Sequence, residues 1–152
     1  MMFKTHLLFA LFISFLIYNY FNLNPILFIL ILVFSATLPD IDHAKSWIGR
    51  KLKPLSLIIN FIFGHRKFIH SLFFVLSISF LIKIFYGNYY IPFLIGYISH
   101  LILDILTKNG IYLFYPFKLK IHGFIKTNGI IEKLFLVFLG LVNIVFIINY
   151  IL

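Results

Sequence analysis

The chain has 152 residues, of which 62% are hydrophobic and 11% charged, and its mean hydropathy is +1.08. Soluble domains are about one-quarter charged, so this balance excludes an ordinary soluble domain and describes a single polytopic membrane domain over residues 1–152. Lys and Arg outnumber Asp and Glu by 13 to 4, and cysteine is absent; disulfides, thiolate zinc sites and cysteine nucleophiles are therefore excluded, and any metal must be held by His, Asp or Glu.

Residues 7–21 form a first apolar segment. Lys4 ahead of it imitates a signal peptide, but no small-residue cleavage site follows and a second apolar segment does, so the N-terminus is expected in the mature protein. Asn22-Leu-Asn-Pro25 signals a turn. Residues 25–38 form the second segment, about 21 Å of helix, which should stop at Pro39. Residues 39–67 are polar except for 55–63, a piece too short to span and expected at the interface or tucked into the bundle. Residues 68–86 and 91–107 read as two further membrane helices joined by Gly87-Asn-Tyr-Tyr90, the second capped by Gly110. Residues 111–126 alternate apolar and polar, as in an extended or hairpin segment at the surface. Glu132 opens a last apolar helix that runs to the C-terminus. The predicted fold is an all-α membrane bundle of four or five spanning helices.

Charge placement orients it. With a cytoplasmic N-terminus, every Lys and Arg except Lys83 falls on one side, which the positive-inside rule assigns to the cytoplasm. The basic balance thus reports topology rather than nucleic-acid binding. All four acidic residues and all six histidines fall on that same side.

His100 and Asp104 stand out within this pattern. A four-residue spacing is about 400° of helical rotation, so both leave one face about a turn apart. Ionisable groups at membrane depth are costly without a partner, and this pair offers one nitrogen and one oxygen ligand. A buried His–Asp hydrogen bond fixing helix packing is the plainer reading. His6 could be an interfacial histidine, Asp42 an N-cap for a helix over 43–52, and Glu132 a complement to a helix dipole. Asp40 opposes the dipole of the helix it ends. His65 and His70 would diverge by about 140° on one helix, and converge only if His65 sits in the Gly64 turn. Arg66 is either a topology signal or a bidentate phosphate ligand. Together His6, Asp40, Asp42, His43, His65, His70, His100, Asp104 and Glu132 put nine ligands on one rim, enough for two or three ions with a position left for water.

Thr5-His6, Leu38-Pro-Asp-Ile-Asp-His43, Phe63-Gly-His-Arg-Lys-Phe-Ile-His-Ser71 and Gly96-Tyr-Ile-Ser-His-Leu-Ile-Leu-Asp-Ile-Leu-Thr107 resemble, in order, the motifs of the YdjM-like family. These are inner-membrane proteins regarded as metal-dependent hydrolases, distantly similar to the zinc-dependent phospholipase C and S1-type nuclease superfamily. The resemblance implies His6, Asp40 or Asp42, His65, His70, His100 and Asp104 as ligands, with Glu132 as an addition. Two positions depart: Lys67 and Ile69 stand where the family has Gly and Thr, which bears on the hydrogen bonds behind the ligands. His122 matches no family position. The family's name also records an association with the LexA repressor, of which this sequence shows no sign.

The expected function is therefore a metal-dependent hydrolase of the inner membrane, acting through a metal-activated water on a phosphoester, either a lipid headgroup or a substrate from the cytoplasm. His100 and Asp104 form the helix pair; His65, His70 and one of Asp40 and Asp42 complete the main site. His6 with His43 or Glu132 serves a neighbouring ion, and Arg66 and Glu132 are the catalytic candidates. Zinc is the first expectation for the ions, and manganese or iron(II) would accept the same ligands. The competing readings are a divalent-cation transporter and a scaffold that binds a regulatory protein through its basic face.

Overall fold

A computed structural model describes residues 1–151; Leu152, the end of the last predicted helix, lies outside the described residues. The fold is all-helical, as expected. Seven α-helices follow in order: α1 (Phe3–Ile17), α2 (Pro25–Ser35), α3 (Trp47–Lys51), α4 (Lys53–Phe63), α5 (Leu72–Tyr86), α6 (Tyr90–Ile105) and α7 (Ile130–Ile151). Four stretches are long and apolar enough to cross a membrane: Phe3–Tyr20, Pro25–Asp42, Leu72–Ile105 and Ile130–Tyr150. The third folds back on itself. Gly87 takes φ +59° between α5 and α6, a left-handed conformation that glycine adopts without steric cost, and the two helices pack side by side. Both ends of the α5–α6 hairpin thus return to one rim.

Local chemistry explains where the elements start and stop. Asn24 caps α2, its side chain accepting from the backbone of Ile26 and Leu27, with Pro25 at the first helical position. The helix ends at Ser35, earlier than Pro39; a 3-10 turn over Leu38–Asp42 carries the chain onward with Pro39 in its first turn. Ser46, not Asp42, caps α3 by accepting from Gly49 N, and α3 is shorter than the predicted 43–52 helix. Ser71 caps α5, so Phe68–His70 is loop rather than helix. α4 turns Ser56 inward, whereas its Leu55, Ile58, Phe61 and Ile62 are exposed. Residues 111–126 hold two isolated bridges, Ile111 with Ile121 and Thr107 with Ile125, and no strand occurs among the described residues.

Two contacts set the geometry of the rim. The first is between α2 and α6, where a Cβ at Gly96 would run into the Leu32 carbonyl oxygen and Ser35 Oγ; only glycine permits that approach. One turn further along both helices, the Ala36 carbonyl reaches the His100 ring. The second joins α7 to α1. Phe9 meets Phe135 at 6.1 Å and Phe15 meets Phe146 at 5.9 Å between ring centroids, and Asn143 Nδ2 donates to the Leu8 carbonyl at 2.9 Å.

Candidate metal centre

Four elements deliver side chains to one buried point. α1 contributes His6 from its first turn, the 3-10 turn contributes Asp40 and Asp42, the loop after α4 contributes His65, Arg66 and His70, and the end of α6 contributes His100 and Asp104. Asp104 is the hub. His6 Nε2 lies 3.4 Å from its Oδ1, while His70 Nε2 and His100 Nε2 lie 3.6 and 3.7 Å from its Oδ2. Asp40 Oδ1 is 3.9 Å from His100 Nε2. His6 and His100 stack face to face, with centroids 3.8 Å apart and planes 12° apart. Two sets of three ligand atoms lie within 4.8 Å of one another: His6, His100, Asp104, and Asp40, His70, His100.

The hydrogen bonds behind these ligands define which atoms are free. A carbonyl oxygen only accepts, so the 2.8 Å contact from His100 Nδ1 to the Ala36 carbonyl puts the proton on Nδ1 and leaves the Nε2 lone pair directed at Asp104. His70 Nδ1 lies 3.1 Å from Asp42 Oδ2, an ion-pair distance without hydrogen-bond geometry. Asp42 itself is fully occupied: Oδ1 meets His65 Nδ1 at 2.9 Å, and Oδ2 accepts from Arg66 N at 2.8 Å. Asp42 is thus taken up by the His65–Arg66 turn, whereas Asp40 stands within 4.8 Å of ligand atoms on His70 and His100.

The donor set fits a divalent ion. Nε2 of His6, of His70 and of His100 are each buried without a hydrogen-bond partner, as are Nδ1 of His6 and of His70, and buried ring nitrogens left unpaired around a carboxylate are costly. The Arg66 guanidinium reaches the same carboxylate, with Nη2 3.1 Å from Asp104 Oδ2.

The other predicted residues have different placements. Arg66 takes φ +59°, unusual for a side chain of its size; the bond from its backbone N to Asp42 and one from Tyr112 N to its carbonyl hold it there. That second bond shows what the 111–126 segment does: it braces the His65–His70 loop. His43 and His65 pair at 4.6 Å between centroids, outside the two ligand sets. Burial, and then the neighbouring His65, hold His43 below the usual histidine pKa. Glu132 is fully buried, but its oxygens accept from Met2 N, Thr5 Oγ1 and Asn128 N at 2.6, 3.0 and 2.6 Å. It clips α7 to the start of α1 and does not join the histidines.

Sequence reasoning missed two contributors. Tyr97, buried on α6, donates its hydroxyl to the Ile69 carbonyl at 2.8 Å and so holds the residue before His70. Ile69 itself is buried in the apolar core. The second is a basin of 520 Å³ over the site, whose walls include Lys4, Lys45, Arg50 and Arg66 beside Asp40 and Trp47. Only the clustering of Lys and Arg between Lys45 and Lys67 hinted at it.

The family model described as YdjM inner membrane protein matches residues 1–151. The chain belongs to that family. It is 38% identical over 133 residues to "Uncharacterized protein YvsG" of Bacillus subtilis, covering 82% of this chain and 80% of that protein. It is also 41% identical over 92 residues to "Inner membrane protein YdjM" of Escherichia coli, 55% of this chain and 46% of that one. The same figures hold for the protein of that name in Shigella flexneri. No solved structure matches the chain. Membership of an inner-membrane family, with four apolar stretches, makes this YdjM-family chain a multi-pass inner-membrane protein.

Proposed function

We propose that this YdjM-family protein is a metal-dependent phosphoester hydrolase with its site on the cytoplasmic rim of the membrane. The observation that carries the reading is the convergence of three unpartnered histidine nitrogens on Asp104. His6, Asp40, His70, His100 and Asp104 are the residues that would hold the ions. Zinc suits a His-rich set lacking thiolate, and manganese or iron(II) would accept it. A divalent ion bound there supplies an acidified water and neutralises charge developing on a phosphoryl group.

The chain's own residues do the rest. The Ala36 carbonyl holds the His100 ring with Nε2 facing inward, and the Asp42 carboxylate lies 3.1 Å from His70 Nδ1. Asp40, part-exposed at 16%, connects the buried cluster to the basin. Lys4, Lys45, Arg50 and Arg66 line that basin and favour an anionic substrate, with Arg66 able to pair a phosphate through its fork of N–H groups. The positive-inside distribution supports the cytoplasmic side.

Metal content of the detergent-purified protein, by plasma mass spectrometry, tests the reading. At least one tightly held divalent ion is expected in wild type, lost in both His100→Ala and Asp104→Ala. Wild-type protein that stays metal-free after zinc or manganese loading would refute the mechanism.

A further inference from the structure

The reading above leaves the substrate class open, and the membrane-facing wall of the bundle narrows it. Two apolar cavities lie along α5 and α6. One, of 260 Å³, is bounded by residues including Ile41, Ile59, Ile69, Phe74 and Ile78. The other, of 380 Å³, is bounded by residues including Leu27, Ile31, Ile82, Tyr86 and Tyr89. Phe93 lines both, which makes them two parts of one furrow. From Phe74 to Tyr86 along α5 it extends about 18 Å at ~1.5 Å per residue.

The furrow has polar chemistry at one end only. Ile41 stands between Asp40 and Asp42, and Ile69 directly precedes His70, so the ligand loops themselves form its inner end. Beyond that end is the basin with Lys4, Lys45, Arg50 and Arg66. At the far end Tyr86 is 70% exposed, in the position of an interfacial aromatic belt. α4 forms a lip through Ile59, and its exposed Leu55, Ile58, Phe61 and Ile62 continue the apolar surface at the depth of the metal-side rim. A tail of about 18 Å against apolar walls, joined to a negative group over a basic basin, is the shape of one amphiphile.

Resting on the hydrolase reading, we propose that the substrate is an anionic glycerophospholipid drawn sideways from the surrounding leaflet. One acyl chain lies in the furrow, and the phosphate lies in the basin at the metal centre. For phosphatidic acid the oxygen of one water bonds to phosphorus, and the bond from phosphorus to the glycerol oxygen breaks. That oxygen takes one of the water's protons, and the products are diacylglycerol and inorganic phosphate.

The test uses the full chain in phosphatidylcholine nanodiscs with phosphatidic acid carrying a photoreactive diazirine in mid-chain. Crosslinks are expected at Ile78, Ile82 or Phe93, displaced by unlabelled phosphatidic acid and not by added phosphatidylcholine. Ile78→Trp and Ile82→Trp each fill a different part of the furrow, so the failure of one to fold leaves the other. In whichever keeps the wild-type melting temperature, labelling should fall. After zinc or manganese loading, the rate of phosphate release from phosphatidic acid, relative to cleavage of water-soluble p-nitrophenyl phosphate, should fall about tenfold or more. Cleavage of the soluble ester without cleavage of phosphatidic acid, or an unchanged ratio in a folded variant, overturns the lipid assignment and leaves hydrolysis standing. Displacement of the label by phosphatidylcholine as well as by phosphatidic acid overturns the anionic-headgroup assignment. Failure of the loaded wild type to cleave either ester overturns the hydrolase reading and the substrate with it, even where the furrow is labelled.

Discussion

Gly96→Ala should uncouple helix packing from ligand orientation. Its new methyl group would collide with the Leu32 carbonyl and Ser35 Oγ. Both belong to α2, and a carbonyl oxygen within a helix cannot swing aside. Restoring an ordinary C···O separation of about 3.3–3.6 Å requires the two helices to part by on the order of 1 Å. One turn away, the 2.8 Å bond from His100 Nδ1 to the Ala36 carbonyl would stretch beyond hydrogen-bonding range. Overpacking of this kind costs about 1–3 kcal/mol, a fall in melting temperature of roughly 4–8 °C for about 2 kcal/mol in a chain of this size. Losing the partner that orients a ligating histidine lowers metal affinity by a further factor of about 10–100. Gly140→Ala is the control: its Cβ would sit 3.9 Å from Leu8 Cδ1, ordinary contact, and alanine's better helix propensity, worth about 1 kcal/mol, should leave the protein as stable or more so. Melting of both variants in detergent, with metal affinity measured by chelator competition, decides the matter. Equal melting temperatures, or wild-type metal affinity in Gly96→Ala, would refute the argument that this approach positions His100.

Asp42→Asn keeps the shape of the side chain but removes the charge that orients His65 and His70; bound metal should persist with affinity reduced about 10–100-fold in the same competition assay. A complete loss of metal would instead make Asp42 a ligand. Glu132→Gln weakens three hydrogen bonds to a charged acceptor, each worth about 1.5–3 kcal/mol; melting temperature should fall while metal stoichiometry stays at the wild-type value. Loss of metal without loss of stability would return Glu132 to the site. Asn143→Leu removes a hydrogen bond between α7 and α1 inside the membrane, with an expected cost of about 0.6–1.7 kcal/mol by detergent unfolding and no change in metal content.

Much of the candidate site was legible because its residues are chemically conspicuous. His and Asp are expensive at membrane depth, so His100, Asp104 and His70 stand out from an apolar background wherever they occur. What remained hidden was how the oxygens are apportioned. Asp40 and Asp42 look interchangeable in Pro-Asp-Ile-Asp-His; a 3-10 turn sends one carboxylate towards His100 and the other to Arg66 N. Glu132 looks like a helix-dipole partner or a catalytic acid, and its actual partners, Met2 N and Thr5 Oγ1, are 130 and 127 residues away in sequence.

The sequence alone determines that the chain lives in a membrane, since neither its apolar runs nor its scarcity of charge suits water. It also gathers nearly all of Lys, Arg, His, Asp and Glu to one end of the apolar segments, because their positions along the chain do so without reference to folding. Tertiary structure decides which ligand atoms share a point. That choice depends on close approaches such as Gly96 on Leu32 and on Asn143 and Glu132 drawing α7 against α1. Each of these is a contact between segments far apart in the chain. Local pattern cannot encode such contacts, because hydrophobicity tells a membrane helix where to reside and leaves its neighbours to be chosen by steric fit and a few buried hydrogen bonds.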